Sequence, residues 1–355
     1  MGRLPAVHAT AMPDAPEQQQ IVDRPTAAAI FLVLTVAAGA EDAVRDVLAG
    51  AGGLRRSVGF RAPEARLTCV VGIGSDCWDR LYGAPRPAGL HRFVPLDGPV
   101  HTAPSTPGDL LLHIRAERAD LCFELAQHFT EALGDAATVV DEVHGFKSFD
   151  ERDLLGFVDG TENPEGAGAF DAVTVGDEDP GFAGGSYVIV QKYLHDLSAW
   201  DALTVEQQER AIGRTKLADI EIDDDDKAPD AHIALNVIED ADGNQIDIMR
   251  FNMPFGAVGV REFGTYFIGY ASAPDVIEQM LSNMFLGTDD AAHDRILDFS
   301  TATTGCLFFA PTVDLLENPP EPGTQDSAGA VDAVAAAPAS SDGSLGLGSL
   351  RGCDR

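Results

Sequence analysis

Residues 154–164, LLGFVDGTENP, place one carboxylate, Asp159, in a turn bracketed by Gly156 and Gly160. Glycine tolerates positive φ and lets backbone approach a neighbour closely, and Pro164 stops any regular element beyond it. An acid held between Phe157, Val158 and two glycines is suited to lie against something flat or bulky, although Asp-Gly is also a common surface-turn pair. His232 sits among apolar neighbours, Ala231-His232-Ile233-Ala234-Leu235. A neutral imidazole there can be a metal ligand or a structural histidine. Arg250 and Asn252 lie two apart in the largely apolar segment 246–253; a strand would put both on one face. Burying a guanidinium is costly unless it is paired or faces a cavity. The pair therefore reads as the lining of a site or as a structural hydrogen-bond network. Asp294 and Asp298, four residues apart, could share a helix face, and either could accept the second N–H of a ligating imidazole. The other histidines, His8, His91, His101, His113, His128, His144, His195 and His293, are assigned no chemistry.

The elements that must position these groups follow from patterning. Residues 30–36 read as a buried strand, too short a run for a membrane span and wrongly placed for a signal peptide. A helix over 41–50, a strand over 67–73, a long ordered loop over 85–107, a strand over 110–115, an amphipathic helix over 121–133 and a strand over 138–145 follow. Strand, helix, strand, strand, helix, strand is the ferredoxin-like order. Similar grammar recurs: strands over 186–193, 246–250, 265–271 and 305–309, helices within 200–215 and over 274–286, and a helical turn over 294–299. The expectation is an α+β chain of two ferredoxin-like halves, 27–150 and 151–316, with the pocket on the second. Residues 1–26 are polar and dotted with proline, and are expected to form a flexible arm. Residues 317–341 have the composition of a disordered linker, and 342–355 that of a short docking peptide with spaced leucines.

Composition narrows the partners. The 355 residues carry a formal net charge of −33, which argues against nucleic acid or an anionic membrane bound by a basic surface. The five cysteines are widely spaced with no CxxC pair, so they read as reduced thiols in a cytoplasmic protein, without a disulfide framework or zinc site.

The GFVDG run is similar to the GxxDG signature of the dye-decolourising peroxidases. The resemblance continues in order through GGSYVIVQKY (184–193), IGRTK (212–216), the His232 segment, MRFNMPFG (249–256) and DRILDFS (294–300), and its wording is most like the bacterial B-type subgroup. It implies a dimeric α+β barrel type of haem peroxidase fold and haem b; no c-type attachment signature is present, so the haem would be held non-covalently. It implies His232 as axial iron ligand with Asp294 behind it, and Asp159, Arg250 and Asn252 on the distal side. Gly160 and Thr161 would lie against the ring, and Arg214 would serve a propionate. The implied reaction is reduction of hydrogen peroxide through an oxoferryl intermediate, with dyes, phenolic or lignin-like donors oxidised in one-electron steps. Tyr187, Tyr193, Trp200 and Tyr266 are candidate relays. A manganese site is also implied, for which Glu162 and Glu221 match two positions while Gln245 stands at the third. The Leu345 to Leu350 stretch resembles the peptide that loads such peroxidases into encapsulin shells, implying a cytoplasmic nanocompartment, a shell-protein partner and a homo-oligomer. The other reading on this fold is a non-catalytic haem-binding or haem-delivery protein; the acid and arginine, which haem carriage does not need, weigh against it. Chlorite dismutases share haem and fold but lack the GxxDG loop.

Overall fold

A computed structural model describes residues 17–319 apart from Ala84, Asp159, Thr161, Glu162 and Ala241. Strand β1 (Ala28–Val36) is buried almost throughout, as a β-branched and aromatic run without polar alternation requires. Helices α1 (Glu41–Ala49) and α2 (Ala51–Gly59) lead to β2 (Thr68–Gly74) and α3 (Ser75–Leu81). A small hairpin, β3 (Leu96–Asp97) and β4 (Thr102–Ala103), interrupts the long loop before β5 (Leu110–Ala116). Helix α4 (Ala119–Leu133) buries Cys122, Leu125, Ala126, Phe129 and Leu133, one apolar stripe, and stops at Gly134, whose φ is 48°. Strand β6 (Ala137–Phe146) completes the first half.

The second half opens with α5 (Ala167–Val173), β7 (Ser186–His195), α6 (Leu197–Asp201) and α7 (Val205–Ile212). Thr204 and Gln207 form a reciprocal capping box that starts α7. The short α8 (His232–Asn236) is followed by β8 (Met249–Arg250), β9 (Met253–Ala257), β10 (Glu262–Ala271) and α9 (Pro274–Leu286). Pro274 opens α9, where its missing N–H costs nothing. Strands β11 (Ser300–Ala302) and β12 (Cys306–Ala310) and helix α10 (Val313–Glu317) end the described chain.

The main sheet runs β6-β1-β5-β2-β12-β7-β10-β8, every pairing antiparallel. Numbered within each half, both sets of four strands are in the order 4-1-3-2, so the ferredoxin-like unit occurs twice. The halves are joined where β12 pairs with β2, Phe308 opposite Gly74 and Phe309 opposite Ile73. Helices cover one face of the sheet with an apolar core. The opposite face curls on itself and encloses a second core: Phe31 of β1 stacks on Tyr266 of β10 at 4.2 Å between ring centroids. Where β6 meets β9, a Cβ on Gly145 would fall 2.6 Å from the Cβ of Met253, a gap only glycine fits.

Three expectations need correction. The arm over 1–26 is not loose in its described part. Ile21 is fully buried, and the Gln19 carboxamide exchanges hydrogen bonds with both backbone groups of Val71 and donates to the Pro311 carbonyl. One polar side chain satisfying three buried backbone groups is hard to foresee from a polar segment. The strand expected over 246–250 covers only Met249–Arg250, and the apolar segment through residue 253 is broken at Phe251 and Asn252. Phe251 N–H still donates to the Ile268 carbonyl (3.0 Å), but Ile268 N–H goes to Asn252 Oδ1 (3.2 Å). A continuous antiparallel ladder would hand that donor to Phe251. Helix α5, β11 and the β3–β4 hairpin were not foreseen, being short and carrying little periodicity. The proposed linker beyond residue 319 and the docking peptide lie outside the described residues.

Phe308 is fully buried on the inner face and sits in the strand that joins the halves. Phe308→Ala should cost about 3–5 kcal/mol, read from denaturant unfolding. A loss under about 1 kcal/mol would show that the inner core does not carry this joint.

Candidate functional site

The loop after β6 is folded by its own backbone. Asp153 N–H donates to the Phe157 carbonyl (2.8 Å), and Phe157 N–H to Asp153 Oδ1 (2.9 Å). Gly156 and Gly160 both take positive φ, 91° and 77°, so the bracketing glycines are conformationally required. Arg152 Nη1 donates to the Gly156 carbonyl (2.9 Å) and the Lys216 carbonyl (2.5 Å), tying the loop to the segment after α7. Phe157 packs edge-on to Trp200, whose Nε1 donates to the Leu155 carbonyl. The acid of this loop, Asp159, and its neighbours Thr161 and Glu162 lie outside the described residues.

Just beyond, Asn163 joins the loop to the sheet. Its carboxamide oxygen accepts from Arg250 N–H (2.8 Å) and its Nδ2 donates to the Arg250 carbonyl (2.7 Å). A two-point clamp thus registers the loop against β8. The only prior signal was a turn-forming Asn-Pro pair at the end of the motif.

Behind the loop is a cavity that opens to solvent, about 820 Å³ when the open space at its mouth is included. Leu155, Phe157, Ile212, Phe267, Met280 and Met284 make its walls largely apolar. His232, Asn236, Arg250, Asn252 and His195 supply polar atoms among the described lining residues. Arg250 and Asn252 thus both line the cavity, although the strand whose alternation would put them on one face is broken between them. Arg250 Nη2 also lies 3.5 Å from Met280 Sδ.

His232 opens α8, and its Nδ1 is 2.7 Å from Oδ2 of Asp294, a wholly buried carboxylate. An ionised carboxylate can only accept, so the ring proton sits on Nδ1. Asp294 Oδ1 accepts from Ile296 N–H (2.9 Å), and its own N–H donates to Met284 at the end of α9. Asn236 Nδ2 donates to the His232 carbonyl. Of the two acids that could orient the imidazole, geometry selects Asp294; Asp298 is engaged instead by His101, His293 and Arg295.

His195 also lines the cavity, at the end of β7. Its Nδ1 pairs with Ser300 Oγ (2.8 Å) and its Nε2 with Thr265 Oγ1 (2.9 Å). Burial pushes this imidazole down to about 4, and neither of these two partners is a carboxylate whose charge would offset it.

Other candidates fall elsewhere. Arg214 is not among the described lining residues. Its Nη1 donates to the Asp219 carbonyl (2.9 Å), and it lies near the Asp219 and Glu221 carboxylates. Glu221 pairs with Lys227 Nζ (2.5 Å), and exposed Gln245 donates to Asp247. Tyr193 borders the cavity; Tyr187, Trp200 and Tyr266 are buried, Tyr266 completely.

A doubled ferredoxin-like sheet with an imidazole, held by a buried carboxylate, at the wall of an apolar cavity defines an α+β protein with a site suited to a cofactor. Family comparison is specific. Residues 18–147 match the model for the N-terminal part of Dyp-type peroxidases, and residues 150–315 the model for their C-terminal part. The chain belongs to the Dyp-type peroxidase family. It is 59% identical to a dye-decolorizing peroxidase of Mycolicibacterium paratuberculosis, over 99% of this chain and 98% of that protein. Its fold is similar to that of the encapsulated DyP-type peroxidase from Mycobacterium smegmatis, with a TM-score of 0.85, 59% identity, and coverage of 86% of this chain and 99% of that one. A DypB variant of Rhodococcus jostii RHA1 in complex with heme superposes with a TM-score of 0.83 at 57% identity, over 85% of this chain and 98% of that one. The chain is a peroxidase of the dye-decolorizing class.

The depressed His195 predicts a pH effect on stability. The unfolded chain takes up a proton on this residue near 6.5 whereas the folded protein resists until about 4, so its contribution is complete above 6.5 and is lost as pH falls toward 4. Denaturant unfolding of His195→Gln between pH 4 and 7 should therefore show a shallower decline than the wild type; parallel curves would disprove the assignment.

Proposed function

We propose that this cavity holds haem and that the chain reduces hydrogen peroxide at it, oxidising organic donors one electron at a time. The observation that carries the reading is His232 held by buried Asp294 at the wall of a largely apolar cavity. Apolar walls suit a porphyrin, and an imidazole with a carboxylate behind it is the donor set of peroxidase haem iron. With Nδ1 turned to Asp294, coordination would be through Nε2. Haem supplies the redox chemistry of peroxide cleavage.

The protein's own groups do the rest. Asp294 keeps the His232 proton on Nδ1 and makes the ring a stronger donor. Asp159, directly or through a water, carries a proton from the inner to the outer peroxide oxygen. Arg250 supplies fixed positive charge for the anion that develops as the O–O bond breaks; Asn163 sets its backbone and Asn252 orients peroxide or water. Gly160 and Thr161 would be the loop residues that contact the haem, and Arg214, outside the described lining, would serve a propionate. Arg250 is the indispensable distal group and Asp159 the secondary one. Bulky dyes and lignin-like phenols give up electrons at the surface. Manganese is disfavoured as donor, because Glu221 is paired with Lys227 and Gln245 brings no carboxylate to a site that would need hard anionic oxygens.

The C-terminal stretch from Leu345 to Leu350 docks the enzyme in an encapsulin shell in the cytoplasm, a reading supported by the encapsulated relative. A symmetric homo-oligomer suits such packaging.

Haem-supplied protein should show a Soret band that changes rapidly on one equivalent of hydrogen peroxide. Arg250→Leu should slow that change at least about 100-fold and Asp159→Ala less; His232→Ala should lose the haem. A stable spectrum indifferent to peroxide would shift the reading to haem carriage. Deleting residues 342–355 should leave the spectrum intact and abolish co-purification with a co-expressed shell protein; retained co-purification would remove the docking assignment.

A further inference from the structure

A second cluster of ligand-type side chains lies outside the cavity, where the two halves touch. His101 stands in the turn between β3 and β4. His293 lies just before the 3₁₀ turn Arg295–Asp298 and Asp298 ends it, almost two hundred positions later in the chain. Both Nε2 atoms point at one carboxylate oxygen: His101 Nε2 is 2.9 Å and His293 Nε2 3.0 Å from Asp298 Oδ1. The two rings meet edge to face with centroids 4.7 Å apart. Side-chain exposure is 22% for His101, 18% for His293 and 25% for Asp298. These groups are therefore screened less than ordinary surface pairs.

We propose that His101, His293 and Asp298 bind one divalent transition cation of the zinc class. Metal bonds of about 2.0–2.2 Å place neighbouring ligand atoms roughly 2.8–3.1 Å apart in octahedral and about 3.3–3.6 Å apart in tetrahedral geometry. The two Nε2–Oδ1 separations, 2.9 and 3.0 Å, fall in the octahedral range, and the three donor atoms all lie within 4.8 Å of one another. Two imidazoles and one carboxylate suit zinc, copper or nickel rather than magnesium or calcium. The carboxylate is already oriented, because Arg295 Nη1 holds its other oxygen at 2.6 Å. The hairpin that carries His101 is also seated. At Gly98, a Cβ would fall 1.9 Å from the Phe285 carbonyl, so the turn presses directly on the end of α9. Three protein ligands leave the remaining positions to water.

The site would fasten the first-half hairpin to the second-half turn. Asp294, which holds His232, is the residue next to His293 and caps the same 3₁₀ turn. A bound cation would thereby limit movement of the group behind the cavity imidazole. The cation site itself does not depend on what occupies the cavity.

The test is isothermal titration of full-length, haem-loaded protein, stripped with chelator, using zinc chloride, with manganese chloride as the hard-cation comparison. One zinc per chain is expected, bound at least about tenfold more weakly in His101→Ala and in His293→Ala. Zinc should raise the thermal midpoint of the wild type and not of the variants. His101→Gln, which can still donate to Asp298, should keep the zinc-free midpoint and lose the zinc response, separating ligation from hydrogen bonding. The proposal is overturned if the wild type takes up no zinc. Equal zinc affinity in His101→Ala and wild type would also overturn it, since that marks diffuse binding to the acidic surface.

Discussion

The contact on which the site depends is the hydrogen bond from His232 Nδ1 to Asp294. A carboxylate with no exposure to water is tolerable only when each oxygen has a donor. Asp294 finds one in the imidazole and another in the Ile296 backbone. Its own N–H is committed to Met284. The end of α9, the 3₁₀ turn and the start of α8 therefore converge on one residue. Its position determines the ring tautomer, and with it which nitrogen can serve chemistry in the cavity.

The opposing wall has a different construction. No helix or uninterrupted strand presents Arg250 and Asn252. They lie at a break in the ladder against β10, where Asn252 takes the Ile268 N–H and Asn163 clamps the Arg250 backbone from the loop before α5. Both devices use side-chain amides to replace or reinforce backbone pairing. They give a polar edge in an apolar cavity without leaving backbone groups unsatisfied. The glycine-bracketed loop then folds over this edge, fastened by Arg152 to the segment after α7.

The first half contributes no described lining residue to the cavity, yet the second half is not independent of it. β12 pairs with β2 on one side and β7 on the other, and the inner core interleaves side chains of both halves. Gln19, from the segment before β1, satisfies Val71 and Pro311 beside that joint. The small hairpin with His101 brings the halves together again behind the cavity. Duplication of the unit thus serves rigidity in one copy and chemistry in the other.

Much of this was legible in the residue order. The strand of 30–36, the helix of 274–286 and the repeated ferredoxin-like grammar follow from periodicity and from proline and glycine stops, which are local properties. The glycines around Asp159 announced positive φ, whereas Arg250 and Asn252 reach the same cavity across a break in the strand that their spacing suggested. Sequence left open which acid serves His232, since Asp294 and Asp298 have equal helical credentials; the fold turns Asp294 inward to His232 and Asp298 outward to His101 and His293. It gave no warning of Gln19 in the joint, Asn163 on Arg250, or His195 in the cavity wall. Each of these depends on partners brought from distant parts of the chain. Local propensity dictates elements, but only the three-dimensional pairing of those elements decides which polar atoms are left facing one another.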